Sequence, residues 1–201
     1  MKILISLFIF CFGLNNLSKN NIAFTEKSSK QIDLVQIGLT IPDAPDDWIE
    51  GSPNEKNAKE GSDILLSLEQ TKKIDGQISI YELPLNSFNF IKIKKEMSLE
   101  VYKMSLWAIE KDMEKGKGFL LLPTQKMTSS PIVKGKKKIG NLTFDFFSLK
   151  SKIVSESSVR DYTTNEYFIY KNKHLFLVKI AAYNEAALPM IAAWENAVVK
   201  K

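Results

Sequence analysis

The chain has 201 residues, with 28 Lys and Arg against 23 Asp and Glu, and a formal net charge of +5. This length suits one domain with a substantial core. The mild positive charge argues against a dedicated nucleic-acid binder, which would concentrate its basic residues on one face. Cys11 is the single cysteine and His174 the single histidine. Cys11 lies in an N-terminal segment that we expect to be cleaved off. The mature chain then has a single histidine and no cysteine, which are too few ligands for a zinc or haem-histidine site and leave no nucleophile for a cysteine protease.

The N-terminus has the pattern of a secretory signal peptide. Lys2 precedes an apolar run from Ile3 to Leu14, which matches a signal-peptide h-region and is too short to cross about 30 Å of hydrocarbon. Ser18 and Ala23 are the small residues available before a cleavage site. We therefore expect residues 1–23 to be a signal peptide, cleaved between about residues 18 and 24.

Two further expectations concern the anchoring and the charge of the protein. Cys11 lies between two phenylalanines, so a lipid anchor at this cysteine is not expected. Cleavage after Ala23 removes Lys2 and Lys19, so the formal charge falls from +5 to +3. We expect a periplasmic or secreted protein in which no disulfide is needed.

The first half of the mature chain begins with strand patterns. Residues 24–35 are predicted to be a flexible lead-in, and residues 36–201 a single domain. Ile37, Leu39 and Ile41 alternate with small or polar residues, which predicts a strand that ends at the following prolines. Two more strands are predicted at Ile64–Leu68 and Gln77–Leu83, with a turn at 72–76 between them.

A long helix is predicted in the middle of the chain, beginning as early as Asn86 or Ser87. Trp107 is expected to widen its buried stripe, and Gly116 and Gly118 to end it. The apolar positions that recur at spacings of three and four are Leu99, Tyr102, Leu106, Ile109 and Met113.

The remaining chain is predicted to be mainly strands. After a candidate strand at 119–122, two hairpins are expected, with turns at Gly140-Asn141 and at 171–173. The segment His174–Ala182 is apolar on both faces apart from Lys179, as expected of a central strand.

A final helix is predicted to be capped by Asn184. Pro189 is expected near its first turn. Its predicted inner stripe is Ala187, Ile191, Trp194 and Val198.

Few helices and several hairpins predict an α+β fold, an antiparallel sheet flanked by the mid-chain and C-terminal helices in an α-β-α sandwich. The segment Ile37-Gly-Leu-Thr-Ile-Pro-Asp leading to Trp48, with the later order of elements, resembles PsbP-like domains, whose superfamily includes the bacterial DcrB-like envelope proteins. The resemblance spans residues 35–199. It implies the same sandwich and a non-enzymatic partner of membrane or multiprotein complexes, and it carries over no catalytic residue.

The residues with chemical potential are few. His174 could act as a base or ligand, but with no second histidine or cysteine beside it we interpret it as a half-solvated residue near a turn. Asp43, Asp46, Asp47 and Glu50 could gather Ca²⁺, yet they lack the alternating acids and central glycine of a calcium loop. We therefore expect no catalytic site, metal or cofactor.

Two candidate binding regions remain. The first is a possible interaction surface for anionic lipid or an acidic partner, although edge lysines also discourage strand aggregation. It comprises Lys134, Lys136, Lys137 and Lys138 with Asp46, Asp47 and Trp48. The second is an apolar pocket lined by Tyr162, Tyr167 and Tyr170, although such aromatic residues more often fill the core.

Three functions follow from these observations. The first is a non-enzymatic binding or assembly module of the bacterial envelope, monomeric, with an envelope protein or an anionic membrane as its partner and no nucleic acid. The second is a carrier of a small apolar ligand between helix and sheet. The third, a hydrolase with paired carboxylates, ranks last because nothing in the sequence places such a pair.

Overall fold

The structure, a computed structural model, describes residues 30–44, 48–50, 62–70, 87–115 and 124–200. Its elements in chain order are β1 (Lys30–Leu34), β2 (Leu39–Ala44), β3 (Trp48–Glu50), β4 (Ser62–Gln70), β5 (Ser87–Ile93), α1 (Leu99–Glu114), β6 (Lys126–Ser129), β7 (Val133–Ile139), β8 (Leu142–Val154), β9 (Val159–Lys171), β10 (His174–Tyr183), α2 (Asn184–Glu195) and β11 (Val198–Val199). The predicted α+β class is confirmed. The predicted signal peptide, the turn at 72–76 and the strands at 77–83 and 119–122 lie outside the described residues.

A large antiparallel sheet forms the centre of the molecule. Its strand order is β3-β4-β5-β10-β9-β8-β6, and β7 also pairs with β8. Both predicted C-terminal hairpins are present, with positive φ at Gly140, Asn172 and Lys173. β10 lies between β5 and β9, which confirms the prediction of a central strand.

The alternation of side chains along β9 separates two faces of the large sheet. Tyr167 and Ile169 belong to the main core cluster, which also contains Met190 and Trp194 of α2. Phe168 belongs to a second cluster with Tyr102 of α1. The two helices therefore pack on opposite faces of the sheet, as a sandwich requires.

A second, smaller sheet lies on the α2 side, in the order β1-β2-β11. Residues 30–34 form its first strand, with Leu34 buried, so the prediction that the flexible lead-in extends to residue 35 is wrong. Ile37 lies in the turn between β1 and β2 rather than in the strand. β2 continues through Pro42, where the β1–β2 register is irregular and a missing N–H is tolerated.

The helix α1 begins later than predicted. Ser87 starts β5, whose Phe88 and Phe90 are buried with a period of two, so the prediction of a helix start near residue 86 is wrong. The helix begins after Ser98, whose side chain caps it by accepting a hydrogen bond from the Val101 backbone N–H. Of the predicted stripe, Tyr102 and Met113 are buried and Leu106 and Ile109 are half-buried, whereas Leu99, in the first turn, is 44% exposed, so its predicted burial is wrong.

The helix α2 also differs from its prediction at both ends. Tyr183 occupies the N-cap position, and Asn184 is the first helical residue. The Asn184 side chain accepts a hydrogen bond from Thr163 at 2.7 Å instead of capping the helix. Val198 lies beyond the helix in β11 and is half exposed. Ala187 and Trp194 are fully buried as predicted, and Pro189 is inside the helix.

Candidate functional site

The lysines predicted to form a basic surface lie on β7, and the strand divides them between the two faces of the sheet. Lys134 and Lys136 pair with Glu110 of α1 and Asp145 of β8, each at 2.7 Å. Lys137 points the other way and pairs with Glu195 of α2 at 2.8 Å.

Successive side chains on a strand point to opposite faces, so four lysines in five residues do not form one basic surface. Lys138 is exposed and has no ion pair among the described residues. Three of the four charges are thus balanced by acids of the same chain, and the attraction that β7 offers to an anionic membrane is correspondingly reduced.

Lys137 is the outer member of a hydrogen-bonded network beneath α2. Glu195 also accepts from the Tyr167 hydroxyl at 2.9 Å, and that hydroxyl accepts from Asn165 at 3.2 Å. Burial, together with the Glu195 carboxylate, raises the pKa of Tyr167 well above its usual range. The network ties the end of α2 to β7 and β9, and a neutral, buried tyrosine that is fully engaged in structure has no evident catalytic role.

The three tyrosines predicted to line a pocket do not meet. Tyr167 faces α2, while Tyr170 lies on the opposite face, against Tyr102 with ring centroids 5.4 Å apart. Tyr162 packs edge-on against Tyr183. It is eight positions from Tyr170, about 26 Å along a strand. The predicted common pocket is therefore not formed, because the strand separates the three rings by face and by distance.

Among the cavities lined by described residues, neither of the following two has the predicted lining. A polar cleft of about 510 Å³ lies where β6, β8 and β9 meet the start of α2, and its charged residues are Lys150, Lys152 and Asp161. A groove of about 300 Å³ runs between β1 and strands β4 and β5. Of the three tyrosines, Tyr162 alone borders the cleft.

The predicted acidic turn is only partly described. Asp46 and Asp47 lie outside the described residues. Trp48 is 1% exposed and stacks on Phe88 with centroids 5.9 Å apart, so it is a core residue and not part of an interaction surface. Within the described ranges, no group of three or more His, Cys, Asp or Glu side chains is arranged to hold a metal ion.

His174 is engaged with the backbone of the neighbouring strand. Its Nδ1 lies 3.1 Å from the Ile93 carbonyl oxygen, and its side chain is half-buried. This position fits the interpretation of a structural residue beside the β9–β10 turn.

The most distinctive surface of the described residues is the outer face of α1, which carries Val101, Met104 and Trp107. Met104 is 69% exposed, Trp107 64% and Val101 47%. The prediction that Trp107 widens the buried stripe is therefore wrong. Trp107 is five residues beyond buried Tyr102, which rotates it about 140° around the helix.

The sequence contained a signal for this outer surface. Val101, Met104 and Ala108 recur at spacings of three and four, like the residues of the buried stripe but displaced around the helix. A helix with two apolar stripes can cover only one of them against its own sheet. Among the described residues, no helix is both long enough and apolar enough to span a bilayer.

No protein family matches the chain, and no curated protein matches it. Among solved structures, the chain is similar to cyanobacterial PsbP (CyanoP) from Synechocystis sp. PCC 6803. The identity is 10% and the TM-score 0.44, over 92% of this chain and 98% of that one.

Proposed function

We propose that this protein is an exported, non-enzymatic assembly module of the bacterial cell envelope, and that it binds a protein through the outer face of α1. The observation that carries the proposal is the exposure of Met104 and Trp107 on a helix whose opposite side is already packed. Large apolar side chains that project together into solvent mark interaction sites more often than scattered ones do. Tryptophan and methionine are also enriched at protein interfaces.

The outer face of α1 suits a protein better than a lipid surface. Helices that lie on anionic membranes carry many Lys or Arg beside their apolar face. Here the same side of the helix carries exposed Glu100 and exposed Lys103, and Lys111 is paired with Glu114 at 2.6 Å. This mixed, nearly balanced charge matches helix-in-groove recognition, in which apolar anchors recur at helical spacing.

The extracytoplasmic location rests on the N-terminal sequence. The apolar run Ile3–Leu14 after Lys2 supports a cleaved signal peptide. Mass spectrometry of the protein isolated from its native cells should give an N-terminus between about residues 19 and 25. A mature protein that begins at Met1 would contradict export through a cleaved signal.

The binding function is tested by site-specific photo-crosslinking in native cells. A photoreactive phenylalanine at position 107 should give discrete crosslinked products. The matched control is position 188, because Leu188 is 60% exposed on α2. Products of equal intensity at both positions, or none at position 107, would overturn the proposal.

The alternative of an apolar-ligand carrier has less support. The 510 Å³ cleft contains lysine, aspartate and hydroxyl groups, which suit a polar molecule rather than an apolar one. Native mass spectrometry of the purified protein would detect a retained apolar ligand, and such a ligand would favour the carrier over the assembly module.

A further inference from the structure

Four residues form a single line along the outer face of α1. Glu100, Met104, Trp107 and Lys111 follow one another at spacings of four, three and four, which confines them to a strip about 60° wide on an α-helix. The apolar pair has the exposures given above, Glu100 is exposed, and the Lys111 side chain is 42% exposed. The strip is therefore exposed to solvent along its whole length, while the Glu100 carboxylate also contacts Ser98 and Lys111 pairs with Glu114.

The order of side-chain types along this strip is self-complementary. It reads acid, apolar, apolar, base from the N-terminus to the C-terminus. When a second identical helix is laid antiparallel across a two-fold axis between residues 105 and 106, residue 100 meets residue 111 and residue 104 meets residue 107. Each acid then faces a base, and each methionine faces a tryptophan.

We propose that α1 of one copy packs antiparallel on α1 of a second copy, so that Glu100 faces the other copy's Lys111 and Met104 faces its Trp107. This inference rests on the proposed function, because it names the protein that the outer face of α1 binds. It also replaces the sequence-based expectation of a monomer. A two-fold interface of this kind uses the same patch on both subunits, as most homodimers do.

The apolar contacts would supply most of the attraction. A methionine sulfur beside an aromatic ring is a favourable contact, and the two-fold axis makes it twice. Exposed ion pairs contribute little to affinity, but they select the antiparallel orientation because the parallel one places like charges together. Lys111 carries three N–H donors, so it can keep its pair with Glu114 and still contact an opposing carboxylate.

One helix strip buries less area than a permanent dimer interface. The association is therefore expected to reverse on dilution. Analytical ultracentrifugation of the purified mature protein over a concentration series should show a monomer–dimer equilibrium. Met104→Ala and Trp107→Ala should each shift it towards monomer, while Leu188→Ala on α2 should not.

The decisive experiment exchanges charges. Glu100→Lys alone and Lys111→Glu alone each place like charges across the interface twice, so each variant should weaken the dimer. An equimolar mixture of the two variants should restore it, because every lysine then faces a carboxylate. Lys150→Glu, on the α2 side of the sheet, is the matched control and should change nothing. Thermal melting of each variant identifies any that is misfolded.

The outcomes separate this inference from the proposed function. A monomer at all concentrations, or a mixture that associates no better than its components, would overturn the dimer. If position 107 then still crosslinks to a different envelope protein in cells, the assembly module stands without self-association. If position 107 crosslinks to nothing, both proposals fail.

Discussion

The two helices show how differently one sheet can be covered on its two faces. In α2, Ala186, Ala187, Met190, Ala193 and Trp194 are buried, and the helix contacts both the large sheet and β2. In α1, which is four residues longer, only Tyr102 and Met113 are buried. α2 is thus part of the main core, while α1 packs one narrow stripe and leaves another in solvent.

The polar contacts follow the same division. α2 is joined to β7 and β9 by the Glu195 network, in which Asn165 and Tyr167 are buried. α1 is joined to the sheet by Tyr102, whose hydroxyl donates to Asp145 at 2.6 Å, and by the half-exposed pair of Glu110 with Lys134. Because the ties of α2 are the more buried, we expect changes beneath α2 to affect folding and changes on the outer side of α1 to affect association.

Replacing a tryptophan in each helix gives the largest contrast. Trp194→Ala should lower the free energy of unfolding by about 3–5 kcal/mol, because it leaves a cavity between Phe88, Phe144 and Tyr167. Trp107→Ala should change it by less than about 0.5 kcal/mol in dilute, monomeric protein. Urea unfolding of both variants measures this, and equal effects would end the distinction between the helices.

The contact between the two sheets on the α2 side can be tested at Gly140. This residue has φ +56°, and a Cβ there would lie 2.8 Å from Leu39 Cδ2 of the small sheet. Gly140→Ala should therefore destabilise by about 1–2 kcal/mol. Gly135→Ala is the control, since nothing lies within 4 Å of its Cβ position and alanine suits a strand better than glycine. A destabilising effect at position 135 as large as at 140 would contradict this account.

Lys137 and Lys138 allow the stability effect of a lysine with structural contacts to be compared with that of an exposed lysine. Lys137 is paired with Glu195 and lies 5.7 Å from the Phe146 ring centre. Lys137→Ala should lower stability by about 0.5–1 kcal/mol, because both contacts are partly solvated. Lys138→Ala should have no measurable effect. Thermal melting of the two variants measures this difference. Identical melting curves would mean that the network beneath α2 does not need Lys137.

The smallest expected effect is the pH dependence of the small sheet. Hydrogen bonds from Lys200, Thr40 and Gln31 lower the pKa of Asp33 to about 2, below its ordinary 3.8. The stabilisation that ionised Asp33 gives to the folded state is therefore complete above about pH 4, and it is lost as the pH falls through the folded-state pKa of Asp33. Asp33→Asn should remove this component, so its stability should fall less than that of the unsubstituted protein between pH 4 and pH 2. Parallel curves would exclude a role for Asp33.

Local pattern predicted much of the fold. The two C-terminal hairpins followed from alternation and turn residues, and the inner stripe of α1, apart from exposed Leu99, followed from its spacing. The errors came where two patterns were compatible with the same residues. Phe88 and Phe90 lay in a segment assigned to the helix, while their alternation belongs to β5. Residues 30–34 fell within the predicted flexible lead-in, yet Ile32 and Leu34 are buried against the core.

The candidate site was less predictable than the fold. Alternation along β7 already implied that Lys137 and its neighbours point to opposite faces. The acids that pair with them could not be read locally, because Glu110 is 24 residues from Lys134 and Glu195 is 58 residues from Lys137. The pairing of distant charges depends on how the elements pack.

Taken by itself, the sequence determined the period of each element and hence which residues could share a face. Backbone geometry imposes that period on every helix and strand, so it can be read without the fold. Only the tertiary structure decided which face is covered. Both stripes of α1 are apolar, and packing against β8 and β9 buried the one that contains Tyr102 and left Met104 and Trp107 in solvent.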